Sequence, residues 1–139
     1  MNEQGGLKMK RKHPQNQAFD FALVEKWLEN YFLDPLTSYY DQTQFQIDLF
    51  ETDHEWIVEA ILSDFEASDI RIYIDEKKLS ISAIKSPPSR TQQKRSRTIE
   101  FPFYIREQDI SASYTNGRLE IFISKTKKGS GKNRYITVP

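Results

Sequence analysis

From residue 44 to residue 124 the apolar side chains fall on every second position, in short runs that turn residues interrupt. Phe45, Ile47 and Leu49 alternate with Gln46 and Asp48, and Trp56 to Leu62 forms a second run. Ile70, Ile72 and Ile74 alternate with Arg71 and Tyr73, and Leu79, Ile81 and Ala83 alternate with serines. Arg97 to Phe101, Ile110 to Tyr114 and Arg118 to Ser124 complete the series. A period of two puts side chains i and i+2 on the same face of an extended strand, so each run carries one face that water disfavours. Parallel strands need a crossover of a dozen or more residues, and no helical stretch separates these runs. The pattern predicts an all-β, antiparallel sandwich. Asn116-Gly117 joins the last two runs, and Asn-Gly is the pair that a tight hairpin with two positive φ angles selects.

Residues 1–43 precede this region and 125–139 follow it. In the first, Phe19, Leu23, Trp27 and Tyr31 recur at four-residue spacing, with Phe21, Val24, Leu28 and Phe32 widening the face. That spacing predicts an amphipathic helix over about 18–33, stopped at Asp34-Pro35 because a residue before proline is pushed out of the helical region. Two readings stay open for its apolar face: a helix packed on its own domain, or an adhesive arm for self-assembly or client contact through Phe19, Leu23, Trp27, Leu28 and Tyr31. Residues 1–17 read as a mobile polar tail. Residues 85–96 contain no apolar side chain other than two prolines and read as a projecting basic loop. The last segment reads as a flexible tail: a charged stretch, the link Gly129-Ser130-Gly131, and an apolar end in which Ile136 and Val138 point the same way when extended. The division is therefore an arm (1–43), a sandwich (44–124) and a C-terminal extension (125–139). A sandwich of 81 residues buries only about 60% of its unfolded surface and gains from partners.

Most catalytic chemistry is excluded by inspection. The chain has no cysteine, which removes disulfides, thiolate ligands and thiol nucleophiles. His13 and His54 lie in different regions, so no histidine pair has metal-ligand spacing. Gly131-Lys132 resembles the end of a phosphate-binding loop, but Asn133 and Thr126 occupy positions that need Ser/Thr and Gly. Asp48, Glu51, Asp53 and Glu55 cluster on one hairpin and read as a solvated acidic turn. Arg90, Lys94, Arg95 and Arg97 form a basic patch without interleaved aromatics, so nucleic acid is not an expected partner. No run is apolar and long enough to span a membrane, and the basic cluster at Lys8 to Lys12 is not followed by the apolar stretch of a secretion signal. The expectation is a protein with no catalytic residue, no cofactor and no metal, not an enzyme. The net charge is zero but polarised: 44–84 holds three basic and ten acidic residues, 85–139 twelve and four. Such a chain has little long-range repulsion to keep copies apart.

Two segments carry a family resemblance. Ala112-Ser113-Tyr114-Thr115-Asn116-Gly117-Arg118-Leu119 resembles the A-x-x-x-N-G-x-L signature of the small heat shock protein (Hsp20/α-crystallin) family, and Ile136-Thr137-Val138 matches its C-terminal I-x-I/V motif. Arg97 to Pro102 is similar to that family's R-x-F-x-L-P strand end, and the strand order agrees from about residue 44 to 138. The resemblance implies an immunoglobulin-like sandwich, homo-oligomers, and ATP-independent holding of unfolding client proteins in the cytoplasm. It also implies that Ile136 and Val138 dock into a neighbour's groove, lined here by Ile70, Ile72 and Ile74 on one strand and Ala112 and Tyr114 on another. Bacterial members place a swapped strand where this chain has the short 85–96. The head from Phe19 to Pro35, with Tyr40-Asp41, is similar to the spore coat protein M branch of the family, which implies a structural spore-coat role as the alternative.

Overall fold

The computed structural model describes residues 21–85 and 94–139. Two helices come first, α1 (Phe21–Leu33) and α2 (Pro35–Thr43). Eight strands follow: β1 (Ile47–Glu51), β2 (Glu55–Ile61), β3 (Ile70–Asp75), β4 (Lys78–Ile84), β5 (Lys94–Glu100), β6 (Gln108–Thr115), β7 (Arg118–Lys128) and β8 (Arg134–Ile136). They form two four-stranded antiparallel sheets, β1-β2-β7-β6 and β5-β4-β3-β8. The alternation fixes which faces meet. Ile47 and Leu49, Trp56, Val58 and Ala60, and Leu119, Ile121 and Ile123 line the inner face of one sheet. Ile70, Ile72 and Ile74, Leu79, Ile81 and Ala83, and Ile99 line that of the other. Shifting any strand by one residue would turn its apolar set to water, so the register is strongly specified.

The hairpin at Asn116-Gly117 forms as its sequence demands, with φ of 54° and 79°. Three features depart from the sequence-level expectation. The break at Asp34-Pro35 ends one helix but also starts another. Asp34 is the N-cap of α2, its Oδ1 accepting from Leu36 N at 2.9 Å, and Pro35 takes the first helical position, where a missing N–H costs nothing. The expected loop 85–96 is shorter, because β5 already begins at Lys94; residues 86–93 lie outside the described residues, as do 1–20. The acidic hairpin is not wholly solvated. Glu51 is buried and accepts from Lys125 Nζ at 2.7 Å, which ties β1 to the far end of β7.

The helix face is resolved in favour of packing on its own domain. Val24 and Leu28 are 2% and 1% exposed and belong to the core. Trp27 lies against Phe101 with ring centroids 4.8 Å apart, and Phe101 contacts Phe103, which meets Trp56. α1 thus closes the side of the sandwich where the edge strands β1 and β5 lie, one from each sheet.

Candidate functional site

The opposite side of the sandwich holds the groove, and β3 supplies its rail. Without β8, β3 would be the outer strand of the β5-β4-β3 sheet and would leave a row of N–H and C=O groups unpaired, which is a template for another extended segment. The chain's own C-terminus takes that place. β8 pairs antiparallel with β3, with Ile136 opposite Ile72, Tyr135 opposite Tyr73 and Arg134 opposite Ile74. Tyr135 packs at a tilt against Tyr73 on the outer face, centroids 4.7 Å apart. Ile136 and Val138, half-buried, pack against the core cluster together with Ala112 and Tyr114. The structure therefore brings the tail pair Ile136 and Val138 alongside β3, the strand of Ile70, Ile72 and Ile74, while Ala112 and Tyr114 of β6 pack against the same core. A recess beside the tail is lined by Ala67, Ile70, Arg71, Tyr135, Ile136 and Val138.

Tyr114 does more than line the groove. Its hydroxyl reaches Leu62 O at 2.7 Å and Phe65 O at 2.5 Å, pinning the connection between β2 and β3 to β6. Burial, then the nearby Asp69, Asp64 and Glu66 carboxylates, push its phenol up from the ordinary value, so it stays a donor. Of the hairpin signature, Leu119 is buried in the core, while Asn116 and Gly117 make the turn that positions β6 against β7. Gly117 O accepts from Leu62 N at 2.7 Å.

The resemblance seats the tail on a neighbour; here it lies on its own chain, and the connection is built rather than loose. Gly129 N donates to Glu107 O, and a Cβ at Gly129 would come within 2.3 Å of Gln108 O. Arg134 donates to Arg106 O and Gln108 O at 2.9 and 2.8 Å. Asn133 accepts from Glu76 N and donates to Asp75, bracing the β3–β4 turn where Glu76 holds a positive φ of 58°. Glycine would take that backbone conformation without strain; glutamate needs the surrounding contacts to hold it.

On the α1 side, the expected arm contacts separate. Leu28 is buried, Trp27 and Tyr31 are partly buried against the core, and Leu23 is 48% exposed. Phe19 lies outside the described residues. The basic patch also changes character. The Arg97 side chain, 4% exposed, does not face solvent; it donates to Asp41 Oδ1 at 2.5 Å, Phe45 O at 2.8 Å and Tyr31 OH at 3.2 Å. Arg95 donates to Thr43 O. Sequence reasoning missed this pair, because a charged residue in an alternating strand reads as outward-facing. Burial raises the Tyr31 phenol to about 12, against the opposing pull of Arg97. Among the described residues no group of three or more His, Cys, Asp or Glu side chains is placed to hold a metal, and no helix is long and apolar enough to cross a membrane.

A family model described as the Hsp20/alpha crystallin family matches residues 48–139. Spore coat protein M of Bacillus subtilis is 30% identical over 117 residues, covering 84% of this chain and 85% of the relative. Small heat shock protein C2 of Rickettsia felis is 30% identical over 142 residues, covering 94% and 87%. Among solved structures, a Del-C4 mutant of hsp14.1 from Sulfolobus solfatataricus superposes with a TM-score of 0.52 at 21% identity, over 76% of this chain and 99% of that one, a likeness of fold.

Proposed function

Because the chain belongs to the Hsp20/alpha crystallin family, a family of non-enzymatic chaperones, we propose that it is an ATP-independent holdase that forms homo-oligomers and binds partly unfolded proteins in the cytoplasm. The observation that carries this reading is the β3 edge with its short peptide in place. Three residue pairs and two half-buried aliphatic side chains seat the end of the tail on β3, beyond the bonds of Asn133 and Arg134 that fix its approach, and a pairing this short can be exchanged for another. An edge that accepts one extended segment by backbone pairing accepts others, with the two side-chain positions adding preference for aliphatic residues. The groove offers a way to bind a client or a second copy without covalent chemistry. The test is light scattering from a heat-denaturing substrate protein with this protein added and ATP absent. Suppression at near-equal molar ratio supports the reading; scattering unchanged at an excess of this protein refutes it.

A second reading has one observation in its favour, the likeness to spore coat protein M along most of the chain. Here the same edge contacts build a permanent layer in the spore coat. Stable, concentration-dependent polymers without client protection, together with location in the coat of purified spores, favour this role over the first.

A further inference from the structure

The C-terminal end of α2 lies across two edges at once. Ile47 N, on the outer side of β1, donates to Asp41 Oδ1 at 3.2 Å. Ser96 N, on the outer side of β5, donates to Gln44 Oε1 at 3.1 Å. These are the edge strands of the two sheets on the α1 side, and both are covered by side chains from one short stretch. The same Asp41 oxygen accepts from the buried Arg97, whose Nη1 also meets Phe45 O and whose guanidinium lies 5.5 Å from the Tyr40 ring centroid. By contrast, no residue of α2 is part of the buried apolar core among the described residues; that role on this side falls to Val24 and Leu28 of α1 and to Phe45. Leu36, Tyr39 and Tyr40 of α2 are exposed. So α2 meets the two sheets through polar contacts at its C-terminal end, while its neighbour α1 is held by burial. Segments with few buried apolar contacts open at lower cost than the global fold.

We propose that α2 with Gln44 is a releasable cover. Docked, it blocks β1 and β5 from adding a strand; released, it presents both edges to an extended stretch of unfolded polypeptide, which pairs through its backbone. Arg97 is the latch: Asp41, on α2, supplies the carboxylate that compensates its buried charge, while Phe45 O and Tyr31 OH belong to the core and to α1 and stay behind when α2 leaves. This gives the holdase reading a second binding edge and a means of regulating it, and it rests on that reading for the identity of the occupant.

The test uses the full chain. Asp41→Asn should accelerate hydrogen exchange at the Ile47 and Ser96 amides by about ten- to a hundredfold, the factor that losing one charge-assisted hydrogen bond carries. The amides of Leu79 and Ile121, in central strands, should not change. A Gln44→Cys/Ser96→Cys double variant, bridged by a short cleavable thiol reagent, supplies the opposite perturbation, and the absence of native cysteine makes the bridge specific. Bridging should lower protection of a denaturing client several-fold, and cleaving the bridge should restore it. Exchange that rises evenly in all strands of Asp41→Asn overturns the cover, as does a bridged variant that protects its client undiminished. If the unmodified protein protects no client at all, the holdase reading falls. The exchange pattern then decides the cover alone: localised acceleration upholds it, uniform or absent acceleration overturns it.

Discussion

Leu28→Ala measures how far the first helix belongs to the folded domain. Leu28 is 1% exposed and sits among core residues, whereas Leu33, five residues later in the same helix, is 74% exposed. The two substitutions remove the same atoms, and the Leu-to-Ala propensity change is small at either position, so their difference is dominated by burial. Truncating a fully buried leucine costs about 2–5 kcal/mol, the lost transfer energy plus the cavity left behind. An exposed one changes stability by no more than about 0.5 kcal/mol. At roughly 3–5 °C per kcal/mol for a chain of this length, Leu28→Ala should lower Tm by about 6–25 °C and Leu33→Ala by less than about 3 °C. Urea titration followed by tryptophan fluorescence gives an independent reading, since Trp27 packs on Phe101 in the same contact layer. Equal midpoints for the two variants, with Leu28→Ala changing only oligomer size, would refute the reasoning: the helix would then be an external adhesive arm and not part of the core.

Gly117→Val should destabilise near the top of about 1–3 kcal/mol, because φ is 79° and a Cβ there would stand 2.8 Å from Ser63 Cα; an unchanged melt would mean the turn is misassigned. Ile136→Ser with Val138→Ser should release β8, seen as faster exchange along the outer side of β3, at a cost of about 1 kcal/mol for each half-buried side chain. Light scattering on the same variant tests assembly, and an unaltered particle size would show that the tail does not link subunits. Tyr31 holds its proton to about 12 in the folded chain, against 10 when unfolded, so stability should fall as pH rises through that window. Tyr31→Phe should remove this part of the alkaline slope in a pH series of urea melts.

The two sheets were legible in the sequence because a two-residue period leaves only one way to bury each strand, and Asn116-Gly117 fixed the most local pairing. The groove residues came from the family resemblance; the structure sets Ile136 and Val138 along the β3 strand of Ile70, Ile72 and Ile74 and packs Ala112 and Tyr114 on the same core. What stayed hidden depends on contacts far apart in the chain. Arg97 is buried only because residues 31, 41 and 45 come over it. Glu51 reads as one acid among several until Lys125, 74 residues further along the chain, is placed beside its hairpin. β8 is three residues long, too short for any period to show, and its partner residues lie sixty or more positions earlier. The second helix had a local signal, Asp34 before Pro35, but that pair also marks a stop, and only the start was overlooked.

The pairing of β8 with β3 inside one chain sets the terms on which two copies can meet. A neighbour's tail would form the same backbone bonds and fill the same positions, so exchanging one for the other, as in a domain swap, changes almost nothing in contact energy. The balance is then a matter of concentration. A segment tethered this closely faces its own groove at an effective concentration on the order of millimolar, far above that of free copies in dilute solution. Dilute protein keeps its tails at home. Crowding the copies together, or tethering them through another surface, tips the balance outward, and linkage between subunits becomes a threshold in local density.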